Sequence, residues 1–103
     1  MCGADGYRDK NLINISWPQF QTWQRWDEFP ERLDDPPMTV DMTFWYRGKR
    51  YYLDCVDRKY VILSEDGAPA ASDANFLRLL KKPLEIWSGK SFCDLINYMY
   101  FQD

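Results

Sequence analysis

The sequence has no histidine, only three cysteines and no long apolar run. Each shortage removes a class of function. Without histidine, the chain alone cannot build Cys₂His₂ zinc sites, histidine metal triads or Ser-His and Cys-His nucleophile pairs. Cys2, Cys55 and Cys93 are odd in number and widely spaced, unlike a disulfide framework or a Cys₄ knuckle. They fit a reducing compartment, and Cys55 and Cys93, set in apolar-patterned segments, are expected to be small core residues. No metal and no cofactor is expected. Nothing approaches the roughly 18–20 apolar residues that cross a bilayer. Met1 to Lys10 has no apolar h-region, so a secretory signal is not expected either.

What is present is aromatic. Five Trp, seven Tyr and six Phe in 103 residues are too much bulky apolar material for a disordered tail. The length fits one domain over 1–103, with 1–14 an irregular N-terminal segment. Ile15 to Phe29 reads as a helix opened by a Ser16/Gln19 capping box, with Pro18 tolerated in its first turn. Trp17, Phe20, Trp23, Trp26 and Phe29 recur every three residues, so on a straight α-helix they wrap around the cylinder. Such a helix is gripped from several sides, loses its last turn to 3₁₀ geometry, or leaves one of Trp23, Trp26 and Phe29 facing solvent. Pro30 to Pro37 reads as a connector.

Met38 to Arg47 alternates strictly, with Met38, Val40, Met42, Phe44 and Tyr46 on one face. A turn at Gly48-Lys49 folds the chain back, pairing Tyr46 with Tyr51, Phe44 with Leu53, Met42 with Cys55 and Trp45 with Tyr52. A second turn near Asp57-Arg58 returns Lys59 to Ser64, its inward face left open between Tyr60/Ile62 and Val61/Leu63. Glu65 to Ala71 reads as loop. Ser72 or Asp73 caps a helix to Lys82 with Phe76, Leu77 and Leu80 inward, and Leu84 to Trp87 reads as a short strand or extended crossing. Ser91 and Asp94 open a final helix with Phe92, Leu95, Ile96, Met99 and Tyr100 on one stripe. The expected fold is α+β: a three-stranded antiparallel meander packed on one face by about three helices.

Two strings look like motifs. Met1-Cys2-Gly3 resembles the start of the N-terminal-nucleophile amidotransferases, but the Asn-Gly oxyanion pair is missing. Gly89-Lys90-Ser91 resembles the end of a P-loop, but Leu84 stands where that loop needs glycine, so a turn into the last helix is expected. Asp54, Asp57, Glu65 and Asp66 could in principle serve acid–base chemistry, yet acids beside tight turns are ordinary turn chemistry, and no catalysis is expected.

Charge is unevenly spread. Asp27, Glu28, Glu31, Asp34, Asp35 and Asp41 face one base, Arg32, across 27–41, whereas 47–59 holds five bases and two acids. Two surfaces follow. The six acids with Trp23, Trp26 and Phe29 read as a protein-binding surface for a larger basic partner, a nuclease or other nucleic-acid-handling enzyme. Alternatively, Trp45, Arg47, Lys49, Arg50 and Tyr52 read as a single-stranded nucleic-acid platform of stacking rings and phosphate-holding cations. A formal charge of −3 disfavours direct nucleic-acid binding.

In size and acidity, and in its Tyr46-to-Tyr52 hairpin and final Gly-Lys-Ser helix, the chain resembles small accessory proteins of bacterial phages and mobile elements, the anti-CRISPR proteins among them. The resemblance implies an inhibitor of a host defence nuclease, in the cytoplasm of a bacterial or phage-infected cell. It carries no functional residue over.

Overall fold

The computed structural model describes residues 12–102. One antiparallel sheet of six strands is packed by three short helices. The strands are β1 (Leu12–Ile13), β2 (Met42–Tyr46), β3 (Lys49–Val56), β4 (Lys59–Ser64), β5 (Pro69–Asp73) and β6 (Tyr100–Gln102). They lie in the order β1-β6-β2-β3-β4-β5. The expected α+β meander is there as β2-β3-β4, and three further strands extend it on both sides. Leu12 and Ile13, expected within an irregular segment, pair with β6. The expected features at Met1-Cys2-Gly3 and over 1–11 lie outside the described residues.

The helices are α1 (Trp17–Trp23), α2 (Phe76–Leu80) and α3 (Phe92–Leu95). The Ser16 hydroxyl accepts from the Gln19 N–H at 3.3 Å, and the Gln19 carboxamide accepts from the Ser16 N–H at 2.9 Å. This is the expected capping box. The helix does not reach Phe29. Arg25 turns into the left-handed region at φ 58°, and Trp26–Glu28 form a 3₁₀ turn. That break resolves the period-three aromatics by folding Trp26 back, edge-on to Trp17 at 5.7 Å and to Phe20 at 5.9 Å. Trp23, Trp26 and Phe29 are all half-buried, so none of the three is the fully solvent-facing ring considered above.

The β2–β3 turn is Arg47-Gly48, with φ 53° and 81°, not Gly48-Lys49. Two successive left-handed residues are the signature of a type I′ turn, whose twist suits a two-residue hairpin. Phe44 therefore faces Tyr51, Met42 faces Leu53 and Trp45 faces Arg50, in place of the pairs expected from sequence. The shift is two residues along β3, which preserves the side of the sheet each residue occupies. Asp57 and Arg58, at φ 52° and 67°, make the second turn where expected. On β4, Ile62 faces Leu53 and joins the core, and Tyr60 stacks on Phe76 at 5.0 Å.

Cys55 is exposed, not a core residue, whereas Cys93 packs against the core. Residues 69–71, expected as loop, belong to β5. Asn75, not Ser72 or Asp73, caps α2, accepting from the Arg78 N–H at 2.8 Å, and α2 buries Leu79 where Leu77 was expected. Glu85–Trp87 is a 3₁₀ turn, not a strand. The last helix stops at Leu95, passes through a 3₁₀ turn and becomes β6, which leaves Tyr100 exposed and buries Phe101.

All three helices send buried side chains into one cluster with Phe44, Tyr51, Leu53, Ile62 and Phe101. Phe20 and Phe92 sit at its centre, 5.2 Å apart, with Phe92 also 5.2 Å from Phe44. The opposite sheet face, bearing Trp45, Tyr52 and Val61, lies outside that cluster.

Candidate functional site

The acidic connector is shaped by one buried amide. Gln24 is fully buried; its Nε2 donates to the Val40 carbonyl at 2.8 Å and its Oε1 accepts from the Thr39 and Val40 N–H groups at 2.8 and 3.2 Å. The Thr39 hydroxyl donates to the Gln24 carbonyl at 2.7 Å. The stretch between is thus a closed loop. Trp26 Nε1 donates to the Pro37 carbonyl at 2.7 Å, and the Asn75 carboxamide donates to the Asp34 carbonyl at 2.9 Å.

On this loop Asp27, Glu28, Glu31, Asp34 and Asp35 are all exposed. Asp35 pairs with Arg32 at 3.4 Å, a solvent-exposed contact that leaves the loop acidic. Leu33 stands among them with 78% of its surface in solvent. Beside it runs a groove of about 510 Å³ lined by Trp17, Trp26, Phe29, Leu33, Leu77 and Lys81, among others. Asp41 is elsewhere, at the start of β2 beside Thr43, Tyr52 and Asp54 on the open sheet face. Trp23 packs edge-on against Phe101 at 6.4 Å and Trp26 against Phe76 at 5.9 Å, so each half-buried ring is tied to the core, and of the two only Trp26 lines the groove. Leu33 and Trp17 join Trp26 and Phe29 around the groove. Leu33 sits in an acidic connector with no periodicity to mark it.

The five residues of the alternative platform divide. Trp45 pairs directly with Arg50, whose guanidinium lies 5.6 Å from the Tyr52 ring centre. Tyr100 pairs with Trp45 from β6 on the same open face. Arg47 is at the hairpin tip, and Lys49 turns to the helix-covered side, where it lines a cleft with Tyr46 and Trp87. Tyr100 was legible only as part of a helical stripe.

No family model, curated protein or solved structure matches this chain. Its chemistry is therefore read from its own residues. Asp66 accepts from the Ser64 hydroxyl at 2.6 Å and from the Ala68 N–H at 3.0 Å, contacts that hold its carboxyl below the usual range. Asp54 accepts from the Cys55 N–H at 2.8 Å. Both act as local turn and strand acceptors. Burial pushes the Cys93 thiol up to about 11, which makes it a poor nucleophile. Among the described residues no group of three or more Cys, Asp or Glu is placed to hold a metal ion, and no helix is long and apolar enough to cross a membrane.

Proposed function

We propose that this chain is a protein-binding module that docks a basic surface of a larger, nucleic-acid-handling protein and inhibits it by occlusion. The observation that carries the reading is Leu33, 78% exposed at the lip of an apolar groove and flanked by exposed acids. Interfaces place an apolar anchor at the centre and charge around it; the anchor holds the complex and the charge speeds and orients encounter. Phe29, Trp17 and Leu77 offer the floor against which a partner side chain would pack. The inhibitory role extends the resemblance to anti-CRISPR proteins in size and acidity.

The test is a quantitative pull-down from a bacterial lysate, with and without nuclease. Leu33→Asp should release a specifically retained basic protein, and Asp34→Lys with Asp35→Lys should slow association and flatten its salt dependence. Retention unchanged in both variants refutes the reading.

A second reading rests on the Trp45–Arg50–Tyr52 contact and on Tyr100 beside it, an aromatic and cationic row on an open sheet face. It predicts that a labelled single strand shifts at physiological salt, and that Arg50→Glu abolishes the shift. Binding by the Asp34/Asp35 variant would then strengthen.

A further inference from the structure

The hairpin tip and the 84–90 turn flank a cleft of about 430 Å³ on the helix-covered side of the sheet, away from the apolar groove beside the acidic loop. Its wall is built from both directions. Gly48 at φ 81° closes the hairpin and sets Arg47 and Lys49 on one side. Opposite, the Leu84 N–H donates to the Lys90 carbonyl at 3.1 Å and the Gly89 N–H to the Leu84 carbonyl at 2.8 Å. That tight loop presents Ser88 and Lys90.

Three cations therefore line one cleft: Arg47, Lys49 and Lys90. No acid lines it. Among the described residues the ion pairs are formed by Arg32, Arg78 and Lys82, and none of the three cleft cations has a described carboxylate within salt-bridge distance. Tyr46, Tyr51 and Ser88 add hydroxyl groups, and Ile86, 54% exposed, adds an apolar lip.

Trp87 walls the same cleft and is 3% exposed, so its indole environment reports on whatever fills the space.

We infer that this cleft binds a small phosphate monoester with an apolar or aromatic body, of the nucleoside monophosphate class. The phosphate would lie among Arg47, Lys49 and Lys90, whose charge a dianion matches better than a carboxylate does. The body would lie against Ile86 and Trp87, and the volume suits one such molecule. The site is not a P-loop, because the Asp94 carboxylate already accepts the Ser91 N–H at 3.0 Å. It shares no lining residue with the apolar groove at Leu33.

The test is titration of the ¹⁵N-labelled protein with AMP, inorganic phosphate and adenosine, read on the Trp87 indole resonance, which Trp87→Phe assigns. AMP should move that resonance saturably, and adenosine should bind about tenfold or more weakly. Lys49→Gln with Lys90→Gln, both at exposed positions, should weaken AMP by about tenfold or more while leaving the other indole resonances in place. Asp34→Lys with Asp35→Lys should leave AMP binding intact, which separates this site from the acidic loop. Inorganic phosphate binding as tightly as AMP would assign the cleft to phosphate alone and overturn the part given to the body. An unmoved Trp87 resonance at about 10 mM AMP, or equal binding by the double glutamine variant, overturns the site.

Discussion

Gln24 and Val40 hold each other across the mouth of the acidic loop, side-chain amide to backbone carbonyl at 2.8 Å. With the two N–H groups of Thr39 and Val40 on the same carboxamide, Gln24 does for the start of β2 what a neighbouring strand does elsewhere. Replacing it by leucine leaves three backbone groups to find water. Gln24→Leu should cost about 2–4 kcal/mol in denaturant unfolding, the range for breaking a buried polar network. Amide exchange at Thr39 and Val40 should speed before that of the core strands.

The two tight turns respond to substitution in opposite directions. Gly48 sits at φ 81° and Arg58 at φ 67°. Gly48→Val should destabilise the hairpin, and Arg58→Gly should stabilise the protein by about 1 kcal/mol, since a left-handed residue other than glycine is strained. Thermal midpoints should shift in opposite directions, with the larger shift at Gly48→Val. A stabilising Gly48→Val would contradict the turn at Arg47-Gly48.

Asp73 makes the acid end of the stability profile. Its carboxylate takes Arg78 at 2.8 Å, Lys82 at 3.3 Å and the Asn75 N–H at 2.9 Å. The Arg78 contact, then the Asn75 N–H, holds it well below the usual carboxylate range despite the opposing effect of burial. A depressed folded-state pKa gives stability that is fully present above the unfolded value, near 4, and lost as the pH falls through the folded one. Asp73→Asn should therefore lower stability at pH 7 by about 1–2 kcal/mol, discounted because Arg78 and Lys82 are partly in solvent. It should also flatten the loss of stability below about pH 4.

The two described cysteines should separate cleanly under a thiol reagent. Cys55 is exposed, and Cys93 is half-buried with its thiol pushed up to about 11. In a Cys2→Ser background, one fast thiol, removed by Cys55→Ser, and one slow thiol at Cys93 is the expected pattern.

Phe101 is fully buried, between Phe44 at 5.8 Å and Phe92 at 6.0 Å. Phe101→Ala should cost about 3–5 kcal/mol. Deleting residues 97–103 removes Met99 and Phe101 together and should abolish cooperative unfolding.

What could be read in advance was whatever local chemistry decides. The Ser16 and Ser91 capping boxes formed as spelled, and the alternation of Met42, Phe44 and Tyr46 put the right side chains inward. The hairpin register was missed because Gly48 is acceptable at the first position of one primed turn and the second of another; twist and packing chose between them. β6 was missed because Phe92, Leu95, Ile96 and Met99 satisfy a helical stripe whose final turns are overruled by an empty place beside β2. Of the candidate surface, the acids were visible as a charge run. The closure of their loop by Gln24, and the exposure of Leu33, depend on contacts fifteen residues and more away.

The pairing of Leu12 with Gln102 joins positions about ninety residues apart. Closing a chain segment of that length costs about 4 kcal/mol before any contact repays it. On a ribosome adding roughly 5–20 residues each second, β1 would wait roughly 5–20 s for the strand that completes its side of the sheet. The meander β2-β3-β4 can form meanwhile, but its edge beside β2 stays bare until β6 arrives. For that interval Phe44 faces water, and the nascent chain is at its most vulnerable to the wrong strand.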